Sequence, residues 1–126
     1  MAAVVSALAE HACQLSADPA HPVLGPPSLS VGRIEGGQSV NVVPDWAEIE
    51  IDRRLIPGEQ PGDCINRVRT FLANRLGSLE GLEFSPPWVN MPALSPEGPK
   101  SGRGLESVGQ AIAGVTGQTP KVTGAP

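Results

Sequence analysis

The feature that most constrains the fold is a strictly alternating run within residues 46–55. From Ala47 to Asp52, apolar side chains alternate with acidic ones. Successive side chains of a β-strand point to opposite faces, so the run predicts a strand with one apolar and one charged face. The acidic row Glu48, Glu50 and Asp52 could suggest a metal site. Alternate carboxylates are common on solvated sheet faces, however, and we interpret this row as such a face.

Helical periodicity lies on both sides of this strand. Apolar residues recur at steps of three and four from Val4 to Leu15, which predicts an amphipathic helix of roughly 15 residues ending near Pro19. Residues 28–35 alternate as a half-buried strand that Gly36 and Gly37 end. A second helix is predicted to start near Pro61 and to stop at Gly77, because glycine favours the left-handed conformation that ends helices.

The last third of the chain is rich in proline and glycine. Residues 82–90 are predicted to form an edge strand, because Pro86 and Pro87 lack the backbone donors that a central strand needs. Residues 96–104 form a predicted linker. A further helix is expected from Leu105, and the start of another strand at residues 120–123.

Up to residue 95, the predicted order is therefore helix, strand, strand, helix, strand. One more strand before Met1 would complete the βαββαβ arrangement. The predicted fold class is α+β: a ferredoxin-like split βαβ domain with an antiparallel sheet and helices on one face, lacking its first strand. The first helix has no capping residue before it, and we expect Met1 and Pro126 to be fragment edges. The expected domains are 1–95, the linker 96–104, and a truncated segment 105–126.

Composition removes several functional classes. The net charge is -4 and no run of lysine or arginine occurs, which argues against a nucleic-acid surface. Tyrosine is absent and there are 2 phenylalanines, so no stacking platform for single strands is present. The two cysteines, Cys13 and Cys64, lack metal-ligand spacing and favour a reducing, cytoplasmic compartment. No apolar stretch is long enough to span a membrane.

Two motifs carry a resemblance to a known family. The first is residues 30–45, with its Gly-Gly turn and the sequence Asn41-Val-Val-Pro, and the second is Asp52-Arg-Arg followed by Leu-Ile-Pro-Gly-Glu. Together they resemble the second and third lid strands of the zinc-dependent metallopeptidase and amidohydrolase family that includes aminoacylase, acetylornithine deacetylase, succinyl-diaminopimelate desuccinylase and glutamate carboxypeptidase. The similarity covers roughly residues 1–95.

The resemblance implies a function for the chain. In this family a two-zinc active site in a separate catalytic domain cleaves N-acyl amino acids, dipeptides or related amides, and the lid closes over the substrate and forms a homodimer. Asn41, Arg54 and Gly124 match substrate-binding positions. The chain would bind no cofactor and supply no catalytic residue, because the lid histidine of the family would precede Met1. Alone, it is expected to be inactive.

Each of these residues also has a purely structural interpretation. Asn41 could simply cap a turn, and Arg54 could form a surface salt bridge with Asp52 or Glu50. His11 is interpreted as a solvated or partly packed helix residue, and His21 as a turn residue in the proline-rich connector. The alternative function is a stand-alone ferredoxin-like module that binds a ligand or a partner protein.

Overall fold

The computed structural model describes residues 1–89, 91 and 101–122. The predicted α+β class is confirmed, with helices and one antiparallel sheet. In chain order the elements are α1 (Ala2–Ser16), β1 (Ser28–Gly36), β2 (Ala47–Arg54), α2 (Pro61–Leu76) and α3 (Ser101–Thr116). Both strands and the first two helices lie where the alternation and the helical spacing predict them.

The sheet is an antiparallel hairpin whose register is set at both ends. Ser28 pairs with Arg54 at one end, and Gly36 pairs with Ala47 at the other. The register shifts between Val31 and Arg33, so one residue of β1 bulges out of the ladder. The pairing leaves one apolar face and one charged face, as the alternation predicts.

The helices cover the apolar face only in part. α1 packs on β1, and α2 packs on α1. Leu29 in β1 is therefore buried, whereas Ile51 in β2 is 41% exposed and Ile49 is half-buried. The hydrophobic core is one cluster that the helices and β1 share: Ala7, Leu8, Leu15, Leu29, Val68 and Leu72.

The ends of α2 follow the sequence signals. Pro61 occupies the first turn, where its missing N–H costs nothing. Gly77 has φ 77° and donates its N–H to the carbonyl of Ala73 at 2.9 Å. Because a side chain would strain this left-handed conformation, glycine ends the helix here as predicted.

The strand predicted at residues 82–90 is not formed in the described residues 82–89. In a split βαβ arrangement, the two strands that a helix joins are separated by another strand. A strand following α2 would therefore pair with a strand inserted beside β2, and not with β2 itself. Within the described residues β2 pairs only with β1, so this segment has no neighbour with which to form a ladder.

Two boundaries near the end of the chain also differ from the prediction. α3 begins at Ser101 and not at Leu105, so it takes in the last part of the predicted linker. The glycines there weaken a helix by about 1 kcal/mol each but, unlike proline, do not remove a donor. No strand forms over residues 120–122, while residues 96–100 and Thr123 lie outside the described residues.

Candidate functional site

Asn41 lies in the loop that joins β1 to β2. Gly37, with φ 71°, turns the chain out of β1, and a Cβ on this glycine would lie 3.2 Å from the Pro44 ring. Asn41 is exposed, and its Oδ1 accepts a hydrogen bond of 2.5 Å from the Ser39 hydroxyl. Within the described residues its amide nitrogen donates no hydrogen bond. This bond joins two side chains of the loop and does not cap its backbone, and the amide nitrogen remains available to a ligand.

Arg54 ends β2 on the charged face of the sheet. Its Nε lies 3.2 Å from Asp52 Oδ2, and the two side chains are 60% and 63% exposed. The surface salt bridge considered as an alternative is thus formed, although such exposed pairs are weak. Neither terminal nitrogen of the Arg54 guanidinium is hydrogen-bonded within the described residues. A planar fork in this state can receive a carboxylate with two parallel bonds.

The hairpin does not bring the predicted substrate residues together. The loop carrying Asn41 follows the Gly36–Ala47 end of the hairpin, whereas Arg54 lies at the end that pairs with Ser28. At about 3.3 Å per residue, β2 separates the two ends by roughly 23 Å. Gly124, the third predicted residue, lies outside the described residues.

A nearly buried ion pair under Arg54 was missed by the sequence reasoning. Arg53 points to the helix-covered face, and its Nη2 lies 2.6 Å from Glu59 Oε1, with the side chains 10% and 11% exposed. The second Glu59 oxygen accepts the Ile56 N–H at 3.0 Å. Arg53 also donates to the backbone carbonyl of Arg54. The pair therefore anchors the strand end that presents Arg54.

One feature of the sequence could have predicted the Arg53–Glu59 ion pair. Arg53 continues the apolar side of the β2 alternation, and a cation that faces a core needs a counter-charge close by. Glu59 follows six positions later, at the end of the Leu-Ile-Pro-Gly-Glu motif. A second cation, Arg67 on α2, lies 3.6 Å from the same carboxylate.

His11 is buried, which corrects the expectation of a solvated or partly packed residue. Its side chain stacks on Phe71 with ring centroids 4.6 Å apart, and neither ring nitrogen has a hydrogen-bond partner among the described residues. Burial lowers its pKa, the Arg53 and Arg67 cations lower it further, and Asp18 acts in the opposite direction. His21, by contrast, accepts backbone N–H groups at Nδ1, as expected of a turn residue.

The other titratable groups indicate structural roles. Burial raises the pKa of the Cys64 thiol, and the neighbouring Glu59 carboxylate adds to the effect, so the thiol stays protonated and unreactive.

Among the described residues, no group of three or more His, Cys, Asp and Glu side chains could hold a metal ion. Similarly, no helix in the described part of the chain is long and apolar enough to cross a membrane.

The sequence matches the peptidase dimerisation domain family over residues 1–80. The chain belongs to this family. The match takes in α1, β1, β2 and α2, which form the packed part of the structure, and α3 lies beyond it. Asn41, Arg54 and the Arg53–Glu59 pair all fall inside the peptidase dimerisation domain. No curated protein and no solved structure matched the chain.

Proposed function

We propose that this peptidase dimerisation domain is the lid of a metal-dependent hydrolase that cleaves N-acyl amino acids, dipeptides or related amides. In this proposal the lid pairs with a second copy, closes over a substrate held by the catalytic domain, and is inactive alone. The observation that carries it is the family match over a hairpin that presents Asn41 and Arg54 to solvent. In this proposal two zinc ions belong to the catalytic domain, and the described residues of the lid contain no group of three or more side chains that could hold a metal ion.

The free edge of β1 supports pairing with a second copy. Within the described residues β1 has β2 on one side and no strand on the other, and an open edge offers unpaired backbone donors and acceptors. Because α1 packs on β1 and α2 packs on α1, we place the flank of α1 that is turned away from α2 above this edge. At 100° per residue that flank carries small side chains, Ala2, Ala9 and Ser16, which permit close approach of a second helix.

Antiparallel pairing of two β1 strands would also bring the predicted substrate-binding residues Asn41 and Arg54, from different copies, close together. In a two-fold arrangement with the strands fully overlapping, Ser28 of one copy lies beside Gly36 of the other. The Asn41 loop of one copy then reaches the same end of the sheet as Arg54 of the other. Two strand spacings amount to about 10 Å, which is within reach of one dipeptide-sized ligand.

Self-association is testable at the helix flank. We expect the chain to sediment as a dimer, and Ala9→Arg to shift it to the monomer, because a long cation would separate the two α1 helices. Ala3→Arg is the matched control: it adds the same side chain to an exposed alanine of α1 that lies about 120° away around the helix. Sedimentation equilibrium is the measurement. A monomeric native chain, or equal behaviour of the two variants, contradicts the proposed interface.

Catalytic inactivity of the isolated chain is the second test. We expect no hydrolysis of N-acetyl amino acids or dipeptides above the buffer blank with added zinc, because in the described residues no group of three or more side chains could hold the metal ion that the reaction needs. Release of free amine is the readout, with a complete aminoacylase as the positive control. Hydrolysis that co-purifies with the chain and is removed by a chelator would show that the lid proposal is wrong.

A further inference from the structure

α2 packs on α1, and the contact between these two helices is called the joint below. Element contacts run from β2 to β1, from β1 to α1 and from α1 to α2. α2 is therefore held to the sheet through α1 and through the core cluster that it shares with Leu29 of β1, and the Arg53–Glu59 pair secures the turn before it. Its buried residues Cys64, Val68 and Leu72 recur every four positions and so share one face of α2, the face whose Val68 and Leu72 belong to the core cluster.

His11 occupies the centre of the joint. It is 8% exposed, and its ring lies on the Phe71 ring of α2 at 4.6 Å with an angle of 25° between the planes. Both ring nitrogens are buried without a hydrogen-bond partner among the described residues. A neutral imidazole tolerates this apolar stack. An imidazolium would bring a second N–H and a positive charge to a ring whose nitrogens contact no acceptor in the closed joint.

The charges around His11 do not compensate a proton. Arg53 faces it from β2 and Arg67 faces it from α2, and both are cations. Asp18, just beyond α1, is the one anion with a resolved influence, and Asp63 lines the same groove between the helices. The surroundings therefore oppose protonation more than they favour it.

We propose that the joint between α1 and α2 is a pH-sensitive device: protonation of His11 opens it, releases α2 and uncovers Cys64. The closed joint favours the neutral imidazole. Acidification therefore shifts the helix pair towards the open state.

The direction follows from linkage. In the open state His11 titrates near the ordinary value of 6.5, whereas burial and the two arginines lower its pKa in the closed state. The open state therefore binds the proton first as pH falls. Between 6.5 and the lower pKa of the closed state, the opening constant rises by about tenfold for each pH unit, and above this window the joint is fully stabilised.

The two cysteines of the chain allow the opening of the joint to be measured. Cys64 is buried and Cys13 is exposed, so a dipyridyl disulfide should modify Cys13 at once and Cys64 only through the open state. We expect the rate for Cys64 relative to Cys13 to rise several-fold between about pH 7.5 and about pH 5.5. Using the ratio largely removes the common dependence of thiol reactivity on pH.

Two variants separate His11 from the rest of the chain. His11→Met keeps an apolar contact with Phe71 without a titratable group and should make the ratio independent of pH. His21→Gln removes the histidine of the connector between α1 and β1 and should behave as the native chain. A flat ratio in the native chain, or a pH-dependent ratio in His11→Met, overturns the proposal.

A measurement on the native chain covers the case in which His11→Met does not fold. The Cε1 proton of each histidine can be followed by NMR as pH is changed. The proposal requires the folded signal of His11 to titrate below 6.5 and to lose intensity to an open form in the same range. Titration of folded His11 at or above 6.5, with no open form, overturns it.

Discussion

Glu59→Ala is expected to lower the free energy of unfolding by about 3–5 kcal/mol, because it leaves Arg53 as an uncompensated charge with little access to water. The Arg53 side chain is 10% exposed, and Glu59 accepts from it at 2.6 Å. The substitution also removes the acceptor of the Ile56 N–H, which holds the turn before α2. Urea unfolding followed by circular dichroism measures the loss.

A second carboxylate on the hairpin provides the matched control. Glu35 also bonds to an arginine, Arg33, but their side chains are 49% and 58% exposed. Solvent screens that pair, so Glu35→Ala should leave the urea midpoint almost unchanged. The double substitution Arg53→Met with Glu59→Leu should recover much of the lost stability, since it removes both charges together. Equal effects of Glu35→Ala and Glu59→Ala would contradict the role assigned to the buried pair.

Leu72→Ala is expected to destabilise the chain by about 2–5 kcal/mol, because it opens a cavity in a core that has few residues to spare. Leu72 is 3% exposed and belongs to the one cluster that joins α2 to α1 and β1. Domains of this size have a total stability of only about 5–15 kcal/mol. The variant should therefore unfold at a much lower urea concentration, and it could lose cooperative unfolding altogether.

The same replacement on α3 tests whether the effect comes from the core. Leu105 is 43% exposed, so Leu105→Ala removes an identical group from a surface that keeps its contact with water. We expect little change in the urea midpoint. A large effect of Leu105→Ala would show that α3 packs on the rest of the chain, which the described contacts do not include.

Much of the fold could be predicted because local signals agree with one another. The alternation from Ala47 to Asp52, the spacing from Val4 to Leu15, and the signals at Pro61 and Gly77 each act over a few residues. The structure keeps all of these elements. The prediction was wrong at residues 82–89, where strand formation depends on a neighbouring strand and not on the segment itself.

The candidate site could be predicted less completely. Asn41 and Arg54 were selected from motifs, and their roles in binding substrate stay predictions. Their separation along the hairpin follows from the antiparallel register of β1 and β2. The distance between Asn41 and Arg54 along the sequence does not reveal it. The charge partner of Arg53 depends on how the turn at Glu59 folds back beneath β2.

The sequence was enough to predict α1, α2, both strands and the glycine turns, because backbone preferences and hydrophobic spacing are local properties. Which polar groups are removed from water depends instead on the tertiary packing. His11 and Arg53 are polar residues, yet one lies buried on Phe71 and the other is nearly buried against Glu59. Burial depends on the packing of distant segments, and it is burial that makes these two residues matter for stability and for the response to pH.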